Sequence, residues 1–288
     1  MKWRVGRVTV SKIVELEVTG GSRFLLPEAT YQAISPIGWL RPDFADEHGR
    51  LKMSVHALVI ETQRGKTRSR RIIVDTCLGN DKENRSVPTW NRMQTSFLAD
   101  LAAAGYPRET IDTVVCTHLH VDHVGWNTML VDGRWIPTFP NARYLMGRVE
   151  HAHWTAQRDR EDMAAVLADS VTPVWEAGLV DLVETDHRLC DEVSLVPTPG
   201  HTPGHVSLRI ASDGDEALIT GDFMHHPCQI ARPDWCSTAD SDPEAARATR
   251  GAMLARLADT PVLVIGTHFA GRTAGHVVRD GAGFRLAA

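Results

Sequence analysis

Four apolar runs in this chain stop at a small or turn-forming residue, and each is followed at once by a metal-type ligand. TVVCT leads into His118, EVSLVPTPG into His201, ALITG into Asp222 and VLVIGT into His268. Short apolar runs of this kind read as buried strands. Ligand sites of open α/β sheets lie just beyond the carboxyl ends of their strands. The pattern predicts an α/β fold, and if the four strands lie together in one sheet their endings converge at one edge.

The stretch VVCTHLHVDHVGWN, residues 114–127, adds His120, Asp122 and His123 to the set. Five imidazoles and two carboxylates result: His118, His120, His123, His201, His268, Asp122 and Asp222. Such ligands suit zinc, iron or manganese, and the absence of thiolate among them argues against a closed structural zinc site. They are too many for one tetrahedral ion. They fit two divalent ions, zinc first, with one carboxylate bridging and a solvent molecule between. His118 and His120 are one residue apart, so an extended segment projects both to the same side. A turn then presents Asp122 and His123 to a neighbouring ion.

The rest of the chain reads as one domain over residues 1–288, without linker or repeat. WRVGRVTVSKIVELEV is a β-ribbon; SVHALVIETQRG and RSRRIIVDTCLGN are two strands joined at GKT. Residues 20–50, with isolated apolar positions at Phe24, Leu25, Leu26, Trp39 and Leu40, read as a long loop over a pocket, either a lid or a dimer arm. SFLADLAAAGYPRETI is helical, with Phe97, Leu98, Leu101 and Ala102 on one face. Residues 148–169 are helical through Val149, Trp154, Met163, Val166 and Leu167. DPEAARATRGAMLARLAD is a helix capped by Asp242, with Ala246, Met253, Leu254 and Leu257 facing inward. HVVRDGAGFRLA closes the chain as a ribbon turning at DG. His205 reads as structural, and His151 and His153 as surface residues.

The formal charge of −5 is spread over both signs, which argues against nucleic acid as a partner. No run approaches the roughly 20 apolar residues of a membrane helix, and the N-terminus lacks the features of a signal peptide. The five cysteines are scattered without a CxxC pair, as in a reduced, cytoplasmic protein.

HLHVDH, followed in order by PTPGHTPGH, ITGD and GTH, resembles the metallo-β-lactamase superfamily, with core motifs over about residues 50–270. The resemblance implies an αββα sandwich. By motif position it assigns His118, His120 and His201 to a first metal, Asp122, His123 and His268 to a second, and Asp222 as the bridge. Asp75 in IIVDTC matches an outer position that accepts an N–H from a ligand histidine. No cysteine ligand is present, unlike the lactamases that carry one. The set resembles instead the branch of small lactonases and methyl parathion hydrolase-like enzymes. Acyl homoserine lactonases typically have tyrosine three residues after the bridging aspartate; here GDFMHHP places His225 there, as a donor to a developing oxyanion.

The reaction expected is attack of a metal-bridging hydroxide on a lactone or related ester, with phosphotriesterase side activity and Asp122 moving a proton to the leaving group. Trp126, Phe223, Met224 and Phe269 adjoin the motifs and are the expected substrate wall. A small molecule is the expected partner, and a homodimer is one arrangement open to it. The alternatives are a thioesterase of glyoxalase II type, a β-lactam hydrolase and a non-hydrolytic iron-dependent redox member.

Overall fold

The strands that end in metal-type ligands divide between two sheets. The computed structural model describes residues 1–62, 69–157 and 159–287, and the chain forms two compact units. One comprises Met1–Glu15 and Val55–Thr185; the other comprises Leu16–Ser54 and Asp186–Ala288.

In the first, the strands are β1 (Lys2–Val5), β2 (Val8–Thr19), β3 (Lys52–Thr62), β4 (Arg70–Val74), β5 (Thr113–Val115), β6 (Thr128–Val131), β7 (Arg134–Pro137), β8 (Arg143–Gly147) and β9 (Val180–Val183). Seven of them form a sheet in the order β1-β2-β3-β4-β5-β8-β9, and β6 pairs with β7 separately. β4, β5, β8 and β9 run parallel, so their carboxyl ends share one edge. Parallel neighbours need crossovers. The helix Phe97–Ala103 supplies one, and the helices Arg148–Ala156, Glu161–Val166 and Thr172–Glu176 lie in another. Phe97 and Leu101, one helical turn apart, bury against this sheet's core with Val114, Tyr144 and Trp154. Ala102 and Val149, expected on inward faces, are exposed. The GKT connection between β3 and β4 lies outside the described residues. The β6–β7 hairpin went unread in the sequence, although its turn residues Asp132 and Gly133 both take positive φ, as the hairpin dipeptide DG does.

In the second unit β10 (Val193–Pro197), β11 (Val206–Ser212), β12 (Asp215–Ile219), β13 (Leu263–Ile265), β14 (Ala274–Asp280) and β15 (Gly283–Ala287) form a sheet in chain order. β11 is antiparallel to both β10 and β12, and β12 is parallel to β13. β10, β12 and β13 therefore point the same way, and the residues after them emerge at one edge. β5 is not among them, so the four strands do not lie in one sheet: three endings converge here and one lies in the other sheet. Helix Pro243–Leu257 makes the parallel crossover. Asp242 caps it by accepting from the N–H groups of Glu244 and Ala245 at 3.1 and 3.0 Å, and Ala246, Met253, Leu254 and Leu257 are buried.

Residues 20–50 are a long connection with only short helical turns, and most of its apolar residues are packed as core. Leu26, Ile34, Ile37, Leu40 and Phe44 belong to the same apolar cluster as Leu254 and Val264. Short helical turns at Ser22–Phe24, Tyr31–Ile34 and Gly38–Leu40 bring them inward. The Leu25 carbonyl accepts from Thr238 N at 2.9 Å. The Phe44 carbonyl lies 2.9 Å from His226 Nε2, and burial pushes that imidazole down to about 4.

The first unit buries a compact ion cluster. Arg85 donates twice to Asp169, at 2.8 Å to each oxygen. Lys82, fully buried, donates to Thr128 Oγ1 at 2.6 Å and to the Asp169 carbonyl at 3.1 Å, and sits 3.7 Å from the centre of the Trp135 ring. Asp169 lies in the π-helical turn Leu167–Val171. Burial lowers Lys82 from its ordinary 10.5 to about 7, against the pull of Asp169. The unfolded chain then binds more protons than the folded one between those values, so this lysine lets stability rise with pH across about 7 to 10. In urea unfolding, wild type is expected to gain stability relative to Lys82→Met over that window; a pH-independent difference would show that Lys82 stays charged. Gly125 offers a second test. A Cβ there would lie 1.9 Å from the Leu78 carbonyl oxygen, backbone that has no room to yield. Gly125→Ala is expected to destabilise by about 3 kcal/mol, the upper part of the range for overpacking, measured by the same unfolding curves.

Candidate metal centre

At the edge of the first sheet, Asp75 follows β4 with φ at +56°, a left-handed conformation that aspartate tolerates better than most residues. Its Oδ1 accepts from Thr117 N at 2.8 Å, and its carboxylate also accepts the Thr117 hydroxyl. Asp75 Oδ2 lies 2.9 Å from His123 Nδ1. With its proton on Asp75, the Thr117 oxygen receives His118 Nδ1–H at 3.0 Å. The following strand ending is held by Glu150, which accepts Leu119 N at 3.1 Å and Trp154 Nε1 at 2.6 Å. His120 precedes the helical turn Val121–Val124 that carries Asp122 and His123. Residues 76 and 77 bind this turn along its length: Thr76 N donates to the His123 carbonyl, Trp126 N to the Thr76 carbonyl and Gly125 N to the Cys77 carbonyl.

The edge of the second sheet is built in the same way. His201 Nδ1 lies 2.9 Å from Asp240 Oδ1, and His268 Nδ1 lies 3.0 Å from the Ser54 carbonyl. Asp222 N donates to His205 Nε2 at 2.7 Å, while His205 Nδ1 reaches the Thr198 carbonyl at 3.0 Å. His205 is structural, as expected, and what it fixes is the backbone of Asp222. His225 is buried, its N–H held by Gln229 Oε1 at 2.7 Å, and its Nε2 is 3.2 Å from Asp222 Oδ2.

These partners fix which way each ring faces. A carbonyl oxygen only accepts, so His268 donates from Nδ1 and turns its Nε2 toward Asp222 Oδ2 at 3.2 Å. His201 does the same, with Nε2 at 3.7 Å from that oxygen. In the first unit, His123 donates to Asp75 and faces Asp122 Oδ1 with Nε2 at 3.6 Å. His118 donates to Thr117 and faces His120 Nδ1 with Nε2 at 3.0 Å. A neutral imidazole lone pair facing a carboxylate oxygen repels it, and a proton on Nε2 or a metal ion between them removes that repulsion. Anchored Nδ1–H groups with Nε2 turned inward are also how proteins orient metal-binding histidines. The donors fit divalent cations, and their nitrogen and oxygen composition fits zinc, iron or manganese.

Each expected ligand thus lies in one of two clusters: His118, His120, Asp122 and His123 beside Asp75 in the first unit, and His201, Asp222 and His268 beside His225 in the second. The expected substrate wall is placed differently. Trp126 stacks on Phe97 and donates its indole N–H to Glu15 at 2.6 Å, while Phe223, Met224 and Phe269 belong to the second unit's core. Adjacency in sequence to a ligand left each of them on the core side of its turn. His151 and His153 are half-buried, against Trp175 and Trp154 respectively. Sequence reasoning missed Thr117, Glu150, Asp240 and the Ser54 carbonyl. Thr117 stands beside the motif and was within reach; Glu150 and Asp240 are distant carboxylates with no local pattern, and a backbone carbonyl carries no sequence signal.

Residues 52–268 match the family described as the metallo-β-lactamase superfamily. An N-acyl homoserine lactonase of Bacillus sp is 26% identical over 188 residues, 61% of this chain and 66% of its own length, so the match spans just under two thirds of that relative. Among solved structures, AidC, a dizinc quorum-quenching lactonase in complex with a homoserine product, superposes with a TM-score of 0.79 at 20% identity, covering 100% of this chain and 96% of that one. The hydrolase AbOPH does so with a TM-score of 0.78 at 22% identity, covering 99% and 95%. With most of its length inside the family match and its ligand motifs at the strand ends, the chain belongs to the metallo-β-lactamase superfamily and has its α/β fold.

Proposed function

We propose that the protein is a dinuclear metal-dependent hydrolase of lactones or related esters, its two units acting as one catalytic domain. The observation that carries this reading is the set of histidines anchored through Nδ1 with Nε2 turned toward carboxylates. In this reading His118, His120 and His201 hold one ion, Asp122, His123 and His268 hold the other, and Asp222 is shared. Zinc is the metal proposed; iron and manganese use the same donor classes. Divalent ions bound there supply a water ionised near neutral pH and Lewis acidity toward a carbonyl oxygen.

The chain's own residues do the rest. Asp75, Thr117, Asp240 and the Ser54 carbonyl receive the Nδ1–H groups of His123, His118, His201 and His268 and leave Nε2 of each to ligate. Asp122, half-buried beside His123, passes a proton to the leaving alcohol oxygen. His225 donates from its ring to the oxygen on which charge develops; its Nδ1 has no hydrogen-bond partner among the described residues. Histidine rather than tyrosine at this position favours a lactone or ester other than the acyl homoserine lactones. A tethered alcohol leaving group suits the site, and N-acyl homoserine lactonases are among the relatives.

Metal analysis of freshly purified protein is expected to give two zinc-like ions per chain. Hydrolysis of a panel of aliphatic and aromatic lactones, a β-lactam, a thioester and an aryl phosphotriester is expected to be strongest on lactones and to vanish in His118→Ala. One iron per chain, or no hydrolysis of any member, would overturn the reading; a preference for the thioester or β-lactam would replace the substrate class. Asp75→Asn is expected to weaken metal affinity by about 10- to 100-fold, read by chelator competition. His225→Phe is expected to lower kcat by about 10²–10³-fold while both ions stay bound; unchanged kcat would remove His225 from the reaction.

A further inference from the structure

The buried face of helix Pro243–Leu257 is aliphatic except at one position. Arg250 stands among Ala246, Met253 and Leu254 and is itself fully buried. A guanidinium in such a place is costly unless its donors are satisfied. Arg250 meets that requirement with main-chain carbonyls from two separate segments. Nε donates to Pro233 O at 2.9 Å, one terminal nitrogen to Phe223 O at 2.9 Å and the other to Trp235 O at 2.6 Å. The second terminal nitrogen also lies 3.7 Å from Cys236 Sγ. Burial lowers the guanidinium from its usual value, and the negative charge of Asp240 opposes that.

Both clamped segments lead straight to the candidate site. Phe223 adjoins Asp222. The segment 233–236 runs into Ser237, whose N–H donates to Asp240 Oδ2 at 2.8 Å, while Asp240 Oδ1 faces His201 Nδ1. The Trp235 carbonyl also accepts from Gln229 Nε2 at 3.0 Å, and Gln229 Oε1 receives His225 N at 2.7 Å. One planar, five-donor side chain thus ties the backbones that carry Asp222, His225 and Asp240. Lysine, with a single compact ammonium, has no fork with which to span three diverging carbonyls.

We propose that Arg250 is a positioning residue: by clamping the carbonyls of Phe223, Pro233 and Trp235 it sets Asp222 and the Asp240–His201 pair relative to each other, and thereby sets metal affinity. The metal half of this statement rests on the functional reading above; the clamp itself does not.

Arg250→Lys and Arg250→Met are compared with Leu254→Ala, a cavity on the same helix face that touches none of these carbonyls. Two readouts are used. The first is the low-field Nδ1–H proton resonance of His201 in metal-free protein, assigned by its loss in His201→Gln. The second is zinc affinity by chelator competition, together with the visible spectrum of the cobalt(II)-substituted protein. Both Arg250 variants are expected to shift or broaden the His201 resonance, to weaken zinc binding roughly 10- to 100-fold and to move the cobalt bands. Arg250→Lys should fall between Arg250→Met and wild type. Leu254→Ala should lower Tm and leave both readouts at wild type. An unchanged His201 resonance in Arg250→Met, or the same changes in Leu254→Ala, would overturn the clamp. Wild-type protein that binds no zinc, with the resonance still dependent on Arg250, would support the clamp and sink the metal reading instead.

Discussion

An imidazole whose Nδ1–H is held by an oxygen acceptor turns Nε2 the other way, and this protein turns those Nε2 atoms toward carboxylates. Buried at a few ångströms, each such pair needs a proton or a metal ion between nitrogen and oxygen. His268 against Asp222 shows it most plainly, because its anchor is a main-chain carbonyl that cannot change role. The same relation recurs at His201 and, in the other unit, at His123. Everything around these side chains can be understood as holding them there: strand ends that leave no slack, and anchors on the far side of each ring.

The anchors are held in turn. In the first unit Asp75 fixes both Thr117 and His123, so one left-handed aspartate sets two positions of the candidate site. Glu15 reaches the same region from the N-terminal ribbon, accepting Leu78 N, Gly79 N and the Trp126 indole. Burial raises its carboxyl above the usual range, partly offset by those hydrogen bonds. In the second unit Asp240 holds His201, and the Arg250 guanidinium gathers the main chain on either side. Buried charges in both units are matched by several hydrogen bonds each, the condition under which they are tolerated in an interior.

The motif residues were legible because their chemistry and spacing are local. HLHVDH needs only an extended step and one helical turn to present four candidate ligands. The capped helix after Asp242 and the final DG ribbon were equally readable, since caps and turns work through residues next to one another. The packing of segment 20–50 was not legible for the opposite reason. Its apolar residues have no regular period, and only packing against Val264 and Leu254 reveals them as core. Trp126, Phe223, Met224 and Phe269 misled because adjacency to a ligand says nothing about which side of a turn a side chain takes.

The sequence by itself determined the donor set, the strands that deliver it and the superfamily, since each depends on residue type and short-range order. Tertiary structure alone decided that the delivering strands divide between two sheets, that His268 is anchored by the Ser54 carbonyl and His201 by Asp240, and that an arginine in an aliphatic helix face serves as a clamp. These are contacts between residues tens to hundreds of positions apart, several of them to main-chain atoms. A carbonyl oxygen is the same at every residue, so no pattern of side chains can announce which one a folded chain will use.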